Sequence, residues 1–144
     1  MKRVLILCTG NSARSQMAEG LLRRLAKGTV EVHSAGTHSS QVNLLAIKAM
    51  AEISVDISHH RSKPVTEFTG QRCDYVITVC DSAKESCPVF PGAPERMHWS
   101  FPDPAAVQGR EEARLRAFRQ VRIGLMNRLR LFVEAQRSTS TRAS

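Results

Sequence analysis

The sequence predicts a single α/β domain of three layers, a four-stranded parallel sheet flanked by helices. Three observations predict it. Short β-prone apolar runs alternate with segments of helical periodicity. The first run, Val4-Leu5-Ile6-Leu7, is continuously apolar, as in a strand buried on both faces. Two of the runs lead into a cysteine, Cys8 and Cys80, at the strand end where open α/β sheets place their ligands. At 144 residues the chain matches one domain of ordinary size.

The elements follow in order. Arg3 to Cys8 reads as the first strand. Ser15 to about Lys27 reads as a helix, with Met17, Ala18, Leu21, Leu22 and Leu25 on one face and Gly28 as its stop. Val30 to Ser34 is a second strand, closed by Ala35-Gly36, and Asn43 to about Ile53 a second helix. Residues 54–70 form a mixed segment with Pro64 and a short helix near Val65–Thr69. Tyr75 to Val79 is a third strand and Arg96 to Trp99 a fourth. Glu111 to about Gln136 is a long helix with Leu115, Phe118, Leu125, Met126, Leu129, Phe132 and Val133 on its apolar side. The domain is expected to span 1–137, and the small polar residues 138–144 to form a flexible tail.

Composition narrows the function. No apolar run approaches the ~20 residues of a membrane span, so no membrane partner is expected. The opening Met1-Lys2-Arg3 and its apolar run are too short for a secretory leader and read as a buried strand, which predicts a cytoplasmic protein. There the four cysteines argue against a disulfide framework and for catalysis, redox chemistry or metal. The net charge of +8 sits largely on the last helix, from Arg110 to Arg130, and reads as a solvated face. Aromatic residues are few and no nucleic-acid motif is present, so no nucleic-acid partner is expected. The positive field still draws in a small anion.

The chemistry is concentrated in Cys8-Thr9-Gly10-Asn11-Ser12-Ala13-Arg14-Ser15. A strand feeding a tight loop that opens a helix makes an anion cradle, because backbone N–H groups and the positive helix end converge on one point. A cysteine at its mouth should be a thiolate, favoured by that helix end and a nearby arginine. Arg14 offers a planar fork to a tetrahedral oxyanion. Residues Thr9 to Arg14 are therefore the candidate oxyanion-binding residues. Ser15 is suited to donate to the Cys8 sulfur, to cap the helix, or to do both, and Asn11 holds the loop through left-handed backbone and local bonds.

A second segment, Cys80-Asp81-Ser82-Ala83-Lys84-Glu85-Ser86-Cys87-Pro88, is small and polar between its cysteines, as suits a segment that moves. A helix from Ala83 to Cys87 would have to unwind or loop out before the two sulfurs could join. Zinc fits poorly: Cys73, Cys80 and Cys87 have six residues between each and the next, with no close Cys-x2-Cys, so no metal site is expected and Cys73 reads as a spectator. A leaving oxygen needs an acid, for which Asp103 in Ser100-Phe101-Pro102-Asp103-Pro104-Ala105 is the candidate. The same aspartate equally suits a turn before Pro104. Asp74 and Asp81 are weaker candidates, and the five histidines show no convincing pairing.

The cradle with Gln16-Met17-Ala18-Glu19-Gly20, Ser34-Ala35-Gly36, the Cys80…Cys87 pair and Asp103-Pro104-Ala105 after His98-Trp99 resembles the thioredoxin-coupled arsenate reductases, which share the low-molecular-weight tyrosine phosphatase fold. The resemblance covers about residues 2–136. It implies a sulfur relay. Cys8 attacks arsenate held in the cradle while Asp103 protonates the departing oxygen. Cys80 then attacks Cys8, releasing arsenite, and Cys87 attacks Cys80 to carry the disulfide outward for thioredoxin to reduce. No bound cofactor is implied; thioredoxin is the external reductant, and a monomer is expected. Where the phosphatase branch has Asp-Pro-Tyr and a second loop cysteine, this chain has Ala105 and Ala13, which weakens the alternative of a phosphatase working through a Cys8 phosphocysteine. Some reductases of the family bind potassium through Asn, Glu, Ser and Asp. Asn11, Glu19 and Ser34 match, but Lys63 stands at the fourth position, where its ammonium could replace the cation.

Overall fold

In the computed structural model, residues 1–143 are described, with side chains through 137. The elements run β1 (Lys2–Cys8), α1 (Arg14–Ala26), β2 (Val30–Gly36), α2 (Leu44–Ala51), β3 (Tyr75–Thr78), α3 (Asp81–Glu85), β4 (Glu95–His98) and α4 (Glu111–Ala143), with 3-10 turns at Val65–Glu67 and Pro104–Ala106. The four strands form one parallel sheet in the order β2-β1-β3-β4. The predicted fold class holds.

Val4, Leu5, Ile6 and Leu7 are each 0% exposed. Successive strand side chains point to opposite faces, so both faces of β1 are covered. Met17, Leu21 and Leu22 of α1 and Leu115, Phe118, Leu125 and Leu129 of α4 belong to the same core. Helices α1, α2 and α4 pack on one another, and α3 leans on β1 and β3. Glu52 ties α2 to α4 by accepting from Arg119 at 2.7 Å and Arg122 at 2.9 Å. These two arginines hold the Glu52 carboxyl down at about 2.

The topology creates the crevice. After β1 the chain crosses to β2 on one side, then returns past β1 to β3 on the other. Connections from β1 and β3 therefore diverge, and a cleft opens between their carboxyl ends, where Cys8 and Cys80 stand.

Several boundaries differ from the sequence expectation. Helix α1 ends a residue early because Lys27 itself takes the left-handed position (φ 50°), its N–H bonding the Arg23 carbonyl; Gly28 (φ 82°) continues the turn. The short helix near Val65–Thr69 is a single 3-10 turn. Helix α3 begins at Asp81 rather than Ala83. On α4, Val121 joins the buried stripe while Met126 is only half-buried. That helix continues past Gln136 to Ala143; the tail expected over 138–144 lies outside the residues whose side chains are described. Among the described residues no helix is long and apolar enough to cross a membrane.

Candidate active site

The loop after β1 is shaped by its neighbours. The Cys8, Thr9 and Gly10 carbonyls accept from the backbone N–H groups of Thr37, His38 and Ser40, and the Ser12 carbonyl from Asn43. In a trans peptide the C=O and the following N–H point oppositely, and no peptide here is cis. Turning these carbonyls outward therefore turns the N–H groups of Thr9, Gly10, Asn11 and Ala13 inward. N–H groups turned this way are what an anion cradle requires. Its backing strand must come very close: a Cβ on Gly36 would lie 2.5 Å from the Thr9 carbonyl oxygen and 2.7 Å from the Asn11 nitrogen.

Asn11 is the keystone of the loop. It is fully buried and holds a left-handed backbone (φ 47°). Its Oδ1 accepts from Gln16 Nε2 at 2.9 Å and from the Lys63 backbone N–H at 2.8 Å. With that oxygen so engaged, Nδ2 donates to Ser15 Oγ at 2.8 Å and Ser34 Oγ at 2.9 Å. Ser15 Oγ, accepting from Asn11, has its own proton free for the Cys8 sulfur 2.8 Å away. Of the two roles open to Ser15, the structure places it at the sulfur; the residue in the capping position is Ala13, with no side-chain bond.

Ser34 passes its proton on to Glu19 Oε1 at 2.6 Å. Glu19 is 2% exposed and is flanked by Arg23 at 2.8 Å, His60 at 3.4 Å and Lys63 at 3.7 Å. Burial pushes both His60 and Lys63 below their ordinary values. Asn11, Glu19 and Ser34 are thus brought together as the resemblance suggests. However, Glu19 already has the Arg23 guanidinium and the Lys63 amine beside it, and Asn11 and Ser34 carry no negative charge. The set does not fit an added potassium ion. Among the described residues no group of three His, Cys, Asp or Glu side chains could hold a metal.

Arg14 lies at the start of α1, and its Nη1 donates to the Phe101 carbonyl at 3.0 Å. This bond ties the cradle to the loop bearing Asp103. Asp103 itself is exposed and caps the Pro104–Ala106 turn, its Oδ1 accepting from the Ala105 N–H at 3.0 Å. Asp74 receives the Arg3 N–H at the opposite end of the sheet. Asp81 pairs with His98 at 2.8 Å, which holds its carboxyl below the usual range.

The later cysteines differ in environment. Cys80 is buried at the head of α3, its sulfur 3.3 Å from Thr9 Oγ1 in the cradle. Cys87 is half-buried beyond the end of α3, and its sulfur accepts from Arg96 Nη1 at 2.9 Å. Between them Ala83 alone is buried. Cys73 sits before β3, away from the crevice, and burial pushes its thiol up. All four are free thiols.

Sequence reasoning missed Gln16, His60, His98 and Arg96. Gln16 follows the loop directly but shares its helix face with Glu19 and Arg23, so in the sequence it reads as an ordinary polar position. Arg96 and the histidines meet their partners only across neighbouring strands and loops.

The chain is similar to known proteins along most of its length. The low molecular weight phosphotyrosine protein phosphatase family matches residues 3–140. An arsenate reductase of Halalkalibacterium halodurans is 42% identical over 133 residues, covering 92% of this chain and 96% of its own. One of Bacillus subtilis is 41% identical with the same coverage. Among solved structures, an arsenate reductase in its oxidized state superposes with a TM-score of 0.81 at 32% identity, over 94% of this chain and 98% of that one. A thioredoxin-dependent arsenate reductase of Corynebacterium glutamicum superposes with a TM-score of 0.72 at 27% identity, over 96% of this chain and 63% of that one. The chain belongs to the low molecular weight phosphotyrosine protein phosphatase family, on the branch of its arsenate reductases.

Proposed function

We propose that this enzyme reduces arsenate to arsenite through Cys8, Cys80 and Cys87 and is recycled by thioredoxin. The observation that carries the reading is the second sulfur at the cradle: Cys80 stands 3.3 Å from the hydroxyl of Thr9, the residue next to Cys8. A phosphatase has no use for a thiol there.

Arsenate sits on the inward N–H groups and Arg14, which gives up the Phe101 carbonyl for the oxyanion. The Cys8 thiolate attacks arsenic, and Asp103 supplies the proton that lets an oxygen leave as water. Cys80 attacks the Cys8 sulfur; arsenic departs with the electron pair as arsenite, and a Cys8–Cys80 disulfide remains. Two thiols have lost two electrons and arsenic has gained them. Cys87 then displaces Cys8 from Cys80, and thioredoxin's dithiol reduces the resulting Cys80–Cys87 bond. Helix α3, five residues and about 7.5 Å long, stands between these two cysteines, so it must unwind at this stage.

The test is arsenate-dependent NADPH oxidation with thioredoxin and thioredoxin reductase, comparing the native protein with Cys87→Ser. Turnover that collapses in the variant supports the relay. Absence of arsenate-dependent turnover, with Cys8-dependent hydrolysis of an aryl phosphate, overturns it in favour of a phosphatase.

A further inference from the structure

We propose that Arg96 is a catalytic residue of the last sulfur transfer: its guanidinium holds the Cys87 sulfur as the anion that attacks Cys80, and releases it once that sulfur has entered a disulfide. The proposal rests on the relay described above and assigns a residue to its third step.

Arg96 projects from β4 and grips the end of the redox segment with both arms of its fork. Nη1 lies 2.9 Å from Cys87 Sγ and Nη2 lies 2.8 Å from the Pro88 carbonyl oxygen. A guanidinium has no lone pair to offer, so the sulfur is the acceptor. A neutral thiol accepts weakly, whereas a thiolate makes a charge-assisted bond. Among the described residues Arg96 bonds this sulfur and this carbonyl and no carboxylate, so its charge is not spent elsewhere. Each relay sulfur thus has a polar partner suited to its surroundings. Buried Cys8 and Cys80 face the hydroxyls of Ser15 and Thr9, and the more exposed Cys87 faces a full cation. Cys87 also lines a cavity of about 330 Å³ together with Thr78, Lys84, Arg96 and His98.

The chemistry then moves the charge. The Cys87 thiolate attacks Cys80 within the Cys8–Cys80 disulfide. A Cys87–Cys80 bond forms, the Cys8–Cys80 bond breaks, and its electron pair leaves on Cys8 as a thiolate. There is no net oxidation; the negative charge passes from beneath Arg96 to the cradle. A disulfide sulfur carries no charge, so Arg96 keeps only the Pro88 carbonyl. Since α3 unwinds for this transfer, the clasp keeps Cys87 an anion up to that point, and once the charge has left nothing draws the segment back over the new disulfide.

The experiment uses the full reduced chain, native, Arg96→Gln and Arg96→Lys, mixed with arsenate without reductant, quenched in acid and mapped for disulfides over time. In the native protein Cys8–Cys80 precedes Cys80–Cys87. The second transfer is expected to slow about tenfold in Arg96→Gln and to recover in large part in Arg96→Lys. Transfer at the native rate in Arg96→Gln overturns the proposal. If the native protein never forms Cys80–Cys87, the relay itself fails and the proposal with it, a result distinct from failure in the variant alone. Iodoacetamide labelling of Cys87 in the reduced proteins separates chemistry from structure. Loss of anion support slows labelling in Arg96→Gln although the sulfur has lost its cover. Faster labelling marks a purely structural clasp and overturns the assignment.

Discussion

Ser15 Oγ lies 2.8 Å from the Cys8 sulfur while accepting a bond of equal length from Asn11. Because Asn11 can only donate there, the serine proton is directed at sulfur, and the same amide directs the Ser34 proton to Glu19. One buried amide therefore fixes the loop and polarises two hydroxyls in opposite directions. The hydrogen bond at the Cys8 sulfur is thus set by way of Ser15 from Asn11.

Ser15→Ala removes that proton and leaves an Asn11 N–H without its acceptor. We expect kcat/KM for arsenate to fall about tenfold and the protein to lose about 1–3 kcal/mol of stability, the cost of a buried unpaired donor. Steady-state kinetics and urea unfolding measure the two. An unchanged kcat/KM in a folded variant refutes the role given to the hydroxyl.

Gly36→Ala tests whether the cradle depends on the close approach of β2. The added carbon would meet backbone atoms of Thr9 and Asn11 at 2.5 and 2.7 Å, which cannot swing aside as a side chain can. The loop must shift, and inorganic phosphate, an oxyanion of the same shape as arsenate, should bind at least tenfold more weakly. Isothermal titration at neutral pH gives the answer; native affinity would show that the loop yields without losing its convergence.

The parts of this site that were legible in the sequence are those made locally. Cys8 through Arg14 could be placed because strand, tight turn and helix follow one another within a dozen residues, and chain geometry alone brings the cysteine under the N–H groups. Cys80 could be placed because both cysteines follow parallel strands of one sheet. Arg96 at Cys87 and His98 at Asp81 could not, since which side chains meet there depends on the register of β4 and the length of α3. His60 was hidden for another reason. It lies in an irregular segment, and only packing onto α1 brings it to Gln16 and Glu19. Lys27 shows the same limit in the backbone: Gly28 was the better left-handed candidate, yet both residues adopt positive φ.

His60 gives the protein a pH dependence of definite sign. Its Nδ1 donates to Gln16 Oε1 at 2.9 Å and its Nε2 faces Arg23, so the folded protein holds the ring neutral, and burial lowers its value below 6.5. On acidification the unfolded chain takes up this proton first. Stability is therefore full above about pH 6.5 and falls as pH drops toward the folded value. Glu31 and Glu52, both near 2, act in the same direction only below about pH 4.5. Melting temperatures from pH 8 to 5 should decline for the native protein and decline less for His60→Gln, which retains an amide donor toward Gln16. Parallel curves would show that the buried imidazole is not the group responsible.

Gly124→Ala sets two effects against each other. In the middle of α4, replacing glycine by alanine should stabilise the helix by about 1 kcal/mol. The new carbon, however, would lie 2.8 Å from Cε1 of Phe101. That ring is stiff and half-buried, and the carbonyl of the same residue holds Arg14 at 3.0 Å. Displacing the ring costs about 1–3 kcal/mol, as overpacking does, and outweighs the helical gain. The displacement also moves the loop between Trp99 and Pro104, so Arg14 loses its resting partner and Asp103 its setting. We expect a lower melting temperature together with a several-fold rise in KM for arsenate. Phe101→Leu, which vacates the space above the helix, should restore most of the stability to the Gly124→Ala protein. A melting temperature above native with an unchanged KM would mean that the ring rotates away freely and that α4 has no hold on the cradle.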